Sequence, residues 1–300
     1  MRIKLCGFVV WAVFLACGLM SCQQEDRPHG VQYPIVFSNS SETRATATED
    51  DLKAGFTVYA FVQGNAGSTS FAKDVVYNAT SSVWAFKSPE YWIPYTDYYF
   101  KAFYPKALTS GTLDVDTSES DLDFTIKGFD ITEQEDIMVA SATASVEAGA
   151  SAPTNGSVVN LNFQHLLACV VIELKSDIDD VMVERVILQE VSDRETCNSG
   201  SWSSSSNQTA SLYYEEDTAL TEELKDITGG GFLVIPEQRD ITLIIETTQK
   251  DYEVELSIHW LPGKKYTYTA EIKQNDIVFA DAPGVAVWDS ESATGSVIIK

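Results

Sequence analysis

The sequence predicts an all-β protein with two tandem β-sandwiches and one short helix. Short segments rich in aromatic and β-branched residues recur along most of the chain, at the spacing of about 8–12 residues that is typical of β-sandwiches. Gly, Pro, Asn and Asp residues between these segments indicate turns. A small and polar stretch at 143–156 divides the segments into two groups and is the best candidate linker.

Residues 1–21 are predicted to be a signal peptide. Arg2 and Lys4 precede an apolar run at 5–19, which is shorter than the about 20 residues of a membrane-spanning helix. The residues that end at Cys22 resemble a bacterial lipobox, in which the cysteine carries lipid (palmitate) and becomes the mature N-terminus. Several acyl chains anchor a protein firmly, since each buried CH2 contributes about 0.8 kcal/mol. The alternative is an ordinary secretory signal that ends in a cysteine by chance.

Composition and charge restrict the compartment and the partners. Gln23 rather than Asp follows Cys22, and in lipoproteins this indicates delivery to the outer membrane and the cell surface. The formal net charge of −24 becomes −26 when Arg2 and Lys4 leave with the signal peptide. Nucleic acid and anionic lipid headgroups repel such an acidic chain, so both are excluded as partners. No later apolar run is long enough for a transmembrane helix.

The segment 30–45 is predicted to contain a removable strand. Its period-two alternation indicates a half-buried strand, and Pro34, which lacks a backbone N–H, favours an edge or terminal position. The polar run that follows contains Arg44, a suitable site for an arginine-directed protease. We expect the strand first to complete the fold and then to be released by cleavage between Arg44 and Ala45. The side chains on one face of this strand are Val31, Tyr33, Ile35 and Phe37.

The rest of the chain is long enough for two domains. After Arg44, 256 of the 300 residues remain, and an average domain has about 150. We therefore assign residues 22–44 to a lipidated propeptide, 45–152 to an N-terminal sandwich and 153–300 to a C-terminal sandwich. The aromatic-rich segment 91–105 is interpreted as core and sheet surface, with a sugar-stacking platform as the alternative.

Three features of the second half carry specific expectations. Residues 217–229 are predicted to form the helix, because they contain an N-capping residue, apolar residues on one face and a final glycine. The serine-rich loop 198–207 presents Trp202 as a candidate exposed aromatic residue. His165 is interpreted as a hydrogen-bonded structural histidine, since no catalytic partner is recognisable from spacing.

The sequence contains no recognisable catalytic or metal-binding motif, and we expect neither an enzyme nor a bound cofactor or metal. GxSxG, HExxH, P-loop and GxGxxG patterns in a suitable context are absent. The acidic run 114–123 fails as an EF-hand, because Glu119 and Thr125 stand where the motif requires Gly and Glu. Cys169 and Cys197 either form a disulfide or remain buried thiols.

Several motifs together resemble the fimbrillin family of lipoprotein pilins from Gram-negative anaerobes. The resemblance covers nearly the whole chain, and it rests on the order and spacing of its motifs. It implies two transthyretin-like β-sandwich domains, export as a lipoprotein, and assembly by donor-strand exchange after arginine-specific cleavage. The motifs are Cys22 followed by Arg44, Tyr91-Trp92 with Tyr104-Pro105, Asp136 to Ala140, residues 161–174 around Phe163-Gln164-His165, and Pro262 to Tyr266.

The resemblance implies a fimbrial structural or accessory subunit that mediates cell-surface adhesion, with other subunits and an arginine-specific surface protease as partners. Loss of a strand exposes unpaired backbone groups and an apolar trough that another strand can fill. The C-terminal tail is the candidate donor, although the twelve residues after Trp288 can equally belong to the last strand of the domain. Stalk, tip and anchor positions all stay open. The candidate donor side chains are Val285, Val287, Val297, Ile298 and Ile299.

A glycan-binding surface lipoprotein or tip adhesin that does not polymerise is the alternative function. It is based on Trp202 and on the aromatic residues of the segment 91–104. The adhesion target and the retention of the lipid are not specified by any motif.

Overall fold

Strands dominate the computed structural model, and the all-β prediction is confirmed. The structure describes residues 32–39, 52–154, 156–203, 208–274, 276–280 and 282–288. Several predicted sites lie outside these residues and stay predictions: Cys22, Val31, Arg44, Ala45, Val297, Ile298 and Ile299.

Within the described ranges, ten strands precede residue 166. Most show the alternation of buried and exposed residues that gave the prediction, because successive side chains of a strand point to opposite faces. One short 3-10 helix, Ile131–Glu133, follows the seventh strand. The strands are β1 (Val36–Asn39), β2 (Thr57–Gly64), β3 (Gly67–Asn78), β4 (Val83–Phe86), β5 (Thr96–Tyr104), β6 (Thr112–Val115), β7 (Phe124–Asp130), β8 (Met138–Val146), β9 (Val158–Leu161) and β10 (Gln164–His165).

The remaining strands belong to the second half of the chain. They are β11 (Ala168–Ser176), β12 (Met182–Ser192), β13 (Arg194–Asn198), β14 (Ser201–Ser203), β15 (Thr209–Ala219), β16 (Lys225–Asp226), β17 (Phe232–Val234), β18 (Gln238–Thr247), β19 (Tyr252–His259), β20 (Lys264–Lys273), β21 (Asp276–Phe279) and β22 (Gly284–Val287).

Of the strands described before residue 166, all but β6 and β7 are joined along one path in the order β10-β8-β5-β2-β3-β4-β1-β9. Their inward side chains form a core rich in aromatic residues, here called the first core. The segment 91–105 contributes buried residues to the two cores, which confirms its interpretation as core for these side chains: Trp92, Tyr98, Phe100, Ala102 and Phe103.

Three smaller sheets enclose the second core, with strand orders β16-β11-β20-β21, β15-β12-β18-β19 and β14-β13-β7-β6. Strand β17 also pairs with β11, and β22 pairs with β20. Strands β11 and β20 run parallel, and β11 is buried along almost its whole length. A strand that is covered on both faces is expected to have an almost continuous run of apolar residues. The sequence of β11 has such a run.

The helix predicted over residues 217–229 is wrong. Its proposed capping region belongs to strand β15, which pairs with β12 as far as Ala219. Leu224, expected on the buried face, is 49% exposed. Backbone pairing explains the difference, because the Leu220 N–H donates to the Val181 carbonyl at 2.9 Å and so continues the sheet interaction. Sheet partners here override a local helical preference.

The residues after the proposed linker contribute to the first core. Strand β9 pairs with β1, and β10 pairs with β8. Val159, Leu161 and Phe163 are buried members of that core. The domain boundary between residues 152 and 153 stays a prediction, and the structure adds that 158–165 packs with strands that precede it.

Candidate functional site

Strand β1 lies inside a sheet, between β4 and β9. It pairs antiparallel with β4, where Phe37 is opposite Trp84, and parallel with β9, where Phe37 is opposite Val159. The predicted edge position is therefore wrong. Pro34 lies before the strand, in an isolated bridge to Tyr91, so its missing N–H removes no bond from the ladders of β1.

Backbone hydrogen bonds extend the attachment of this segment beyond β1. The Ile35 N–H donates to the Glu90 carbonyl at 2.8 Å, and the Trp92 N–H donates to the Tyr33 carbonyl at 3.1 Å. The Ser38 hydroxyl donates to the side-chain oxygen of Asn160 on β9. Residues 33–35 are thus held by the chain at residues 90–92, and β1 is held by β4 and β9. The segment does not lie loose in solvent.

Phe37 is the deepest side chain of the strand, with 0% exposure. Its ring packs edge-on against Phe86 at 5.3 Å and Phe100 at 5.5 Å between centroids, and against Phe56 at 6.5 Å. Edge-to-face pairs at these distances add about 0.5–1.5 kcal/mol each beyond their area burial. Phe37 is therefore a central member of the first core.

The predicted face of the strand is partly confirmed. Ile35 is buried like Phe37, and each such side chain contributes about 1.5–3 kcal/mol by burial. Tyr33 is 42% exposed, although the Trp92 N–H donates to its carbonyl. Val36 and Ser38 point to the opposite face and are half-buried.

The sequence did not reveal β9 as a partner of β1. The two strands are far apart in the chain and pair in parallel, and parallel pairing leaves no short-range signature such as a hairpin turn. Among the described residues, β9 is at the end of the sheet path and pairs only with β1. Removal of β1 would leave β4 and β9 facing each other across a gap of about 9–10 Å, twice the spacing of neighbouring strands.

The candidate donor side chains Val285 and Val287 belong to strand β22 of the second core. Val285 is opposite Tyr266 and Val287 is opposite Lys264 in the antiparallel pair with β20. In this structure the two valines are thus part of the chain's own sheet. Val287 is 45% exposed, so it contributes little to the core.

His165 fixes the end of β22. Its Nδ1 lies 2.9 Å and 3.0 Å from the two carboxylate oxygens of Asp136, and its ring stacks on Trp288 at 3.9 Å. The Trp288 N–H also donates to the Gly263 carbonyl at 2.9 Å. These contacts confirm His165 as a hydrogen-bonded structural residue, and they hold the chain directly before the predicted donor tail.

Trp202 is not the exposed aromatic residue that the serine-rich loop predicted. It is half-buried, its indole N–H donates to the Leu166 carbonyl at 2.7 Å, and its ring packs 5.3 Å from that of Phe129. The error arises because strand β14 folds the tryptophan back onto the second core. The glycan-binding alternative therefore loses its main candidate contact.

Cys169 and Cys197 are buried free thiols, which decides between the two interpretations of these residues. Burial raises the pKa of Cys169 to about 12, and the opposing effect of nearby Lys265 is smaller than that of burial. Burial also raises the pKa of Cys197 to about 11. Buried thiols with raised pKa values are poor nucleophiles, because the thiolate is the reactive form.

The acidic run 114–123 is held by its own hydrogen bonds. Asp116 accepts from the backbone N–H and the hydroxyl of Ser118 at 2.9 Å and 2.6 Å, and these bonds lower the pKa of its carboxyl. No group of three His, Cys, Asp or Glu side chains suited to a metal ion occurs within the described ranges. Likewise, none of the helices there has the length and apolar character needed to cross a membrane.

Solved structures of low sequence identity have a similar fold. A fimbrial protein from Bacteroides vulgatus is 15% identical, with 86% of this chain and 99% of that chain covered and a TM-score of 0.51. A proposed cell adhesion protein from Bacteroides ovatus is 15% identical over the same shares, with a TM-score of 0.53. At this identity the similarity concerns the fold alone.

The family assignment comes from the sequence. No curated protein matches the chain. The profile of the fimbrillin-like family, in contrast, matches residues 43–287, which is most of the sequence and includes both cores after β1. This match confirms the resemblance that the motifs indicated. The chain belongs to the fimbrillin-like family.

Proposed function

We propose that this chain is a fimbrial or cell adhesion subunit that assembles by exchange of strand β1. In this proposal the chain is exported as a lipoprotein on Cys22, reaches the outer membrane, and is cut after Arg44 by an arginine-specific protease at the cell surface. A strand from another subunit then replaces β1. The role is structural rather than enzymatic, as membership of the fimbrillin-like family favours.

The observation that carries the proposal is the position of β1. The strand fills an internal place in the sheet and buries Phe37, and Ile35 directly before it is buried as well. The segment that contains Arg44 joins β1 to β2. Cleavage there would break the covalent link and leave every non-covalent contact in place. A cut strand can be displaced by a competing strand, whereas an uncut strand returns at once because it stays at a high effective concentration.

The empty slot would bind a new strand strongly. Backbone groups of β4 and β9 would lose their partners, and unpaired buried groups cost about 1–3 kcal/mol each. Since β1 is antiparallel to β4 and parallel to β9, a donor running in either direction pairs parallel with one neighbour and antiparallel with the other. Backbone pairing alone thus does not determine the direction of the donor strand. The core positions that Ile35 and Phe37 now fill would determine it, because the donor side chains must fit them.

The segment after Trp288 is the proposed donor for a neighbouring subunit. Val297 and Ile299 have the i, i+2 spacing of Ile35 and Phe37, which places two side chains on one face of a strand. Val285 and Val287 are less suitable, because β22 is already paired with β20. Whether the subunit belongs to the stalk, the tip or the anchor depends on which donor and which acceptor it meets.

Processing and assembly can be tested on the native surface protein. The proposal predicts a mature N-terminus at Ala45 and ladders of polymer on unheated gels after arginine-specific cleavage. The matched control is Arg44→Ala, which should stay monomeric and keep the acylated Cys22 at its N-terminus. A surface protein that begins at Ala45 but remains monomeric would contradict the exchange step, and one never cut at Arg44 would contradict the whole proposal.

A further inference from the structure

A cavity of about 570 Å³ lies where residues of the two cores meet. Phe124 of the second core and Phe163 of the first core both line it. Lys101 of β5 and Lys264 of β20 are also part of its wall. The volume is within the range of about 300–1,000 Å³ found for small-molecule sites.

Among the residues that the structure describes, no carboxylate lines this cavity, which is unusual for so acidic a chain. The sequence has 44 Asp and Glu residues against 20 Lys and Arg residues. A second cavity contains Asp114 and Asp116, and a third contains Asp97 and Glu147. The cavity of Lys101 and Lys264 therefore differs from both in the sign of its ionised side chains.

Neither lysine is neutralised by an ion pair. Both are half-buried, and no carboxylate oxygen of the described ranges lies within 4.0 Å of their amino groups. Lys101 donates to the backbone carbonyl of Asp121 at 2.7 Å and lies 5.5 Å from the ring centre of Phe124. Asp121 and Asp123 are near enough to act on Lys101 electrostatically, but their carboxylates do not pair with it.

The other wall residues suit a ligand with several hydroxyl groups. The exposed amides of Asn162 and Gln164 offer donors and acceptors for such groups. Phe124 and Phe163 also line the cavity, but they are 6% and 5% exposed and add only a small apolar area to its wall. A sugar ring carries several hydroxyl groups, and a sugar carboxylate would supply the anion that the two lysines lack.

We propose that this cavity binds an acidic monosaccharide unit, with its carboxylate at Lys101 and Lys264 and its hydroxyl groups at Asn162 and Gln164. The site does not depend on strand β1 or on cleavage, so it is independent of the exchange mechanism. It would give the subunit a ligand whether or not the subunit polymerises.

The test is a titration of the uncut mature chain with N-acetylneuraminic acid and with glucuronic acid, followed by calorimetry or by ligand-detected NMR. We expect saturable binding of at least one acid, and at least about tenfold weaker binding of its methyl ester, because charge-assisted hydrogen bonds contribute about 1.5–3 kcal/mol. Lys101→Gln and Lys264→Gln should each weaken binding similarly. Lys87→Gln, a change at an exposed lysine outside the cavity, should have no effect.

Several results would overturn the proposal. One is no binding of either acid at about 10 mM, a concentration that nearly saturates a site with a Kd of about 1 mM. Equal binding of the acid and its methyl ester, or equal binding of inorganic sulfate, would overturn it too. Unchanged affinity in both lysine variants would overturn it as well. The comparison of acid with ester uses the unaltered chain, so it remains decisive if a variant fails to fold.

Discussion

The ring centres of Phe37 and Phe100 lie 5.5 Å apart at an interplanar angle of 87°. The strand proposed to be discarded is thus packed edge-on against β5, in the middle of the sheet that remains. We expect a strand bound in this way to stabilise the uncut chain, and we expect its loss to leave a site with a defined shape.

Phe37→Ala should destabilise the uncut chain strongly. Truncation of a buried Phe costs about 3–5 kcal/mol, because it removes transfer free energy and leaves a cavity. Tyr33→Ala is the matched control, since Tyr33 is 42% exposed and surface changes stay within about 0.5 kcal/mol. Urea denaturation of both variants provides the measurement. Equal stability of the two variants would show that β1 is not part of the folded core.

Trp288→Ala should loosen the end of strand β22. The substitution removes the stack on His165 and exposes the pairing of β22 with β20 to fraying. Faster amide hydrogen exchange over residues 284–287 is expected, because weakly packed elements open locally at low cost. Val278→Ala on the neighbouring strand is the control, as Val278 is 48% exposed. Unchanged exchange in the Trp288 variant would contradict the anchoring role.

Cys169 and Cys197 should react slowly with thiol reagents in the native protein at pH 8. Their pKa values are about 12 and about 11. Both thiols therefore stay protonated at pH 8, and they remain so well above the pH at which an ordinary cysteine ionises. In urea, both should react rapidly without a reductant in a chain that begins at Gln23. If thiols appear in urea only after reduction, the cysteines form a disulfide and the buried-thiol assignment is wrong.

The sequence predicted local features of β1 well and its neighbours poorly. Burial of Ile35 and Phe37 follows from period-two alternation, which any half-buried strand shows. The partnership with β9 depends on residues such as Val158 and Val159, which lie far along the chain. Pro34 indicated an edge strand, but the proline lies just outside the ladder.

The two other errors have the same origin. Residues 217–229 contain a capping residue and a final glycine, yet pairing with β12 and β11 forms strands there. Trp202 lies next to a run of serines, yet its indole bonds to Leu166. Local composition does not contain information about residues that are distant in the chain. In both places, contacts with such residues determine the structure.

The most direct test of the exchange mechanism is uptake of a labelled peptide with the sequence of residues 31–39. We expect the chain cut after Arg44 to take up this peptide in place of its own strand, whereas the uncut chain should not. A peptide with Phe37→Ala should bind at least about a hundredfold more weakly, as a loss of about 3–5 kcal/mol implies. No uptake by the cut chain, or equal uptake by cut and uncut chains, would contradict the claim that β1 occupies an exchangeable site.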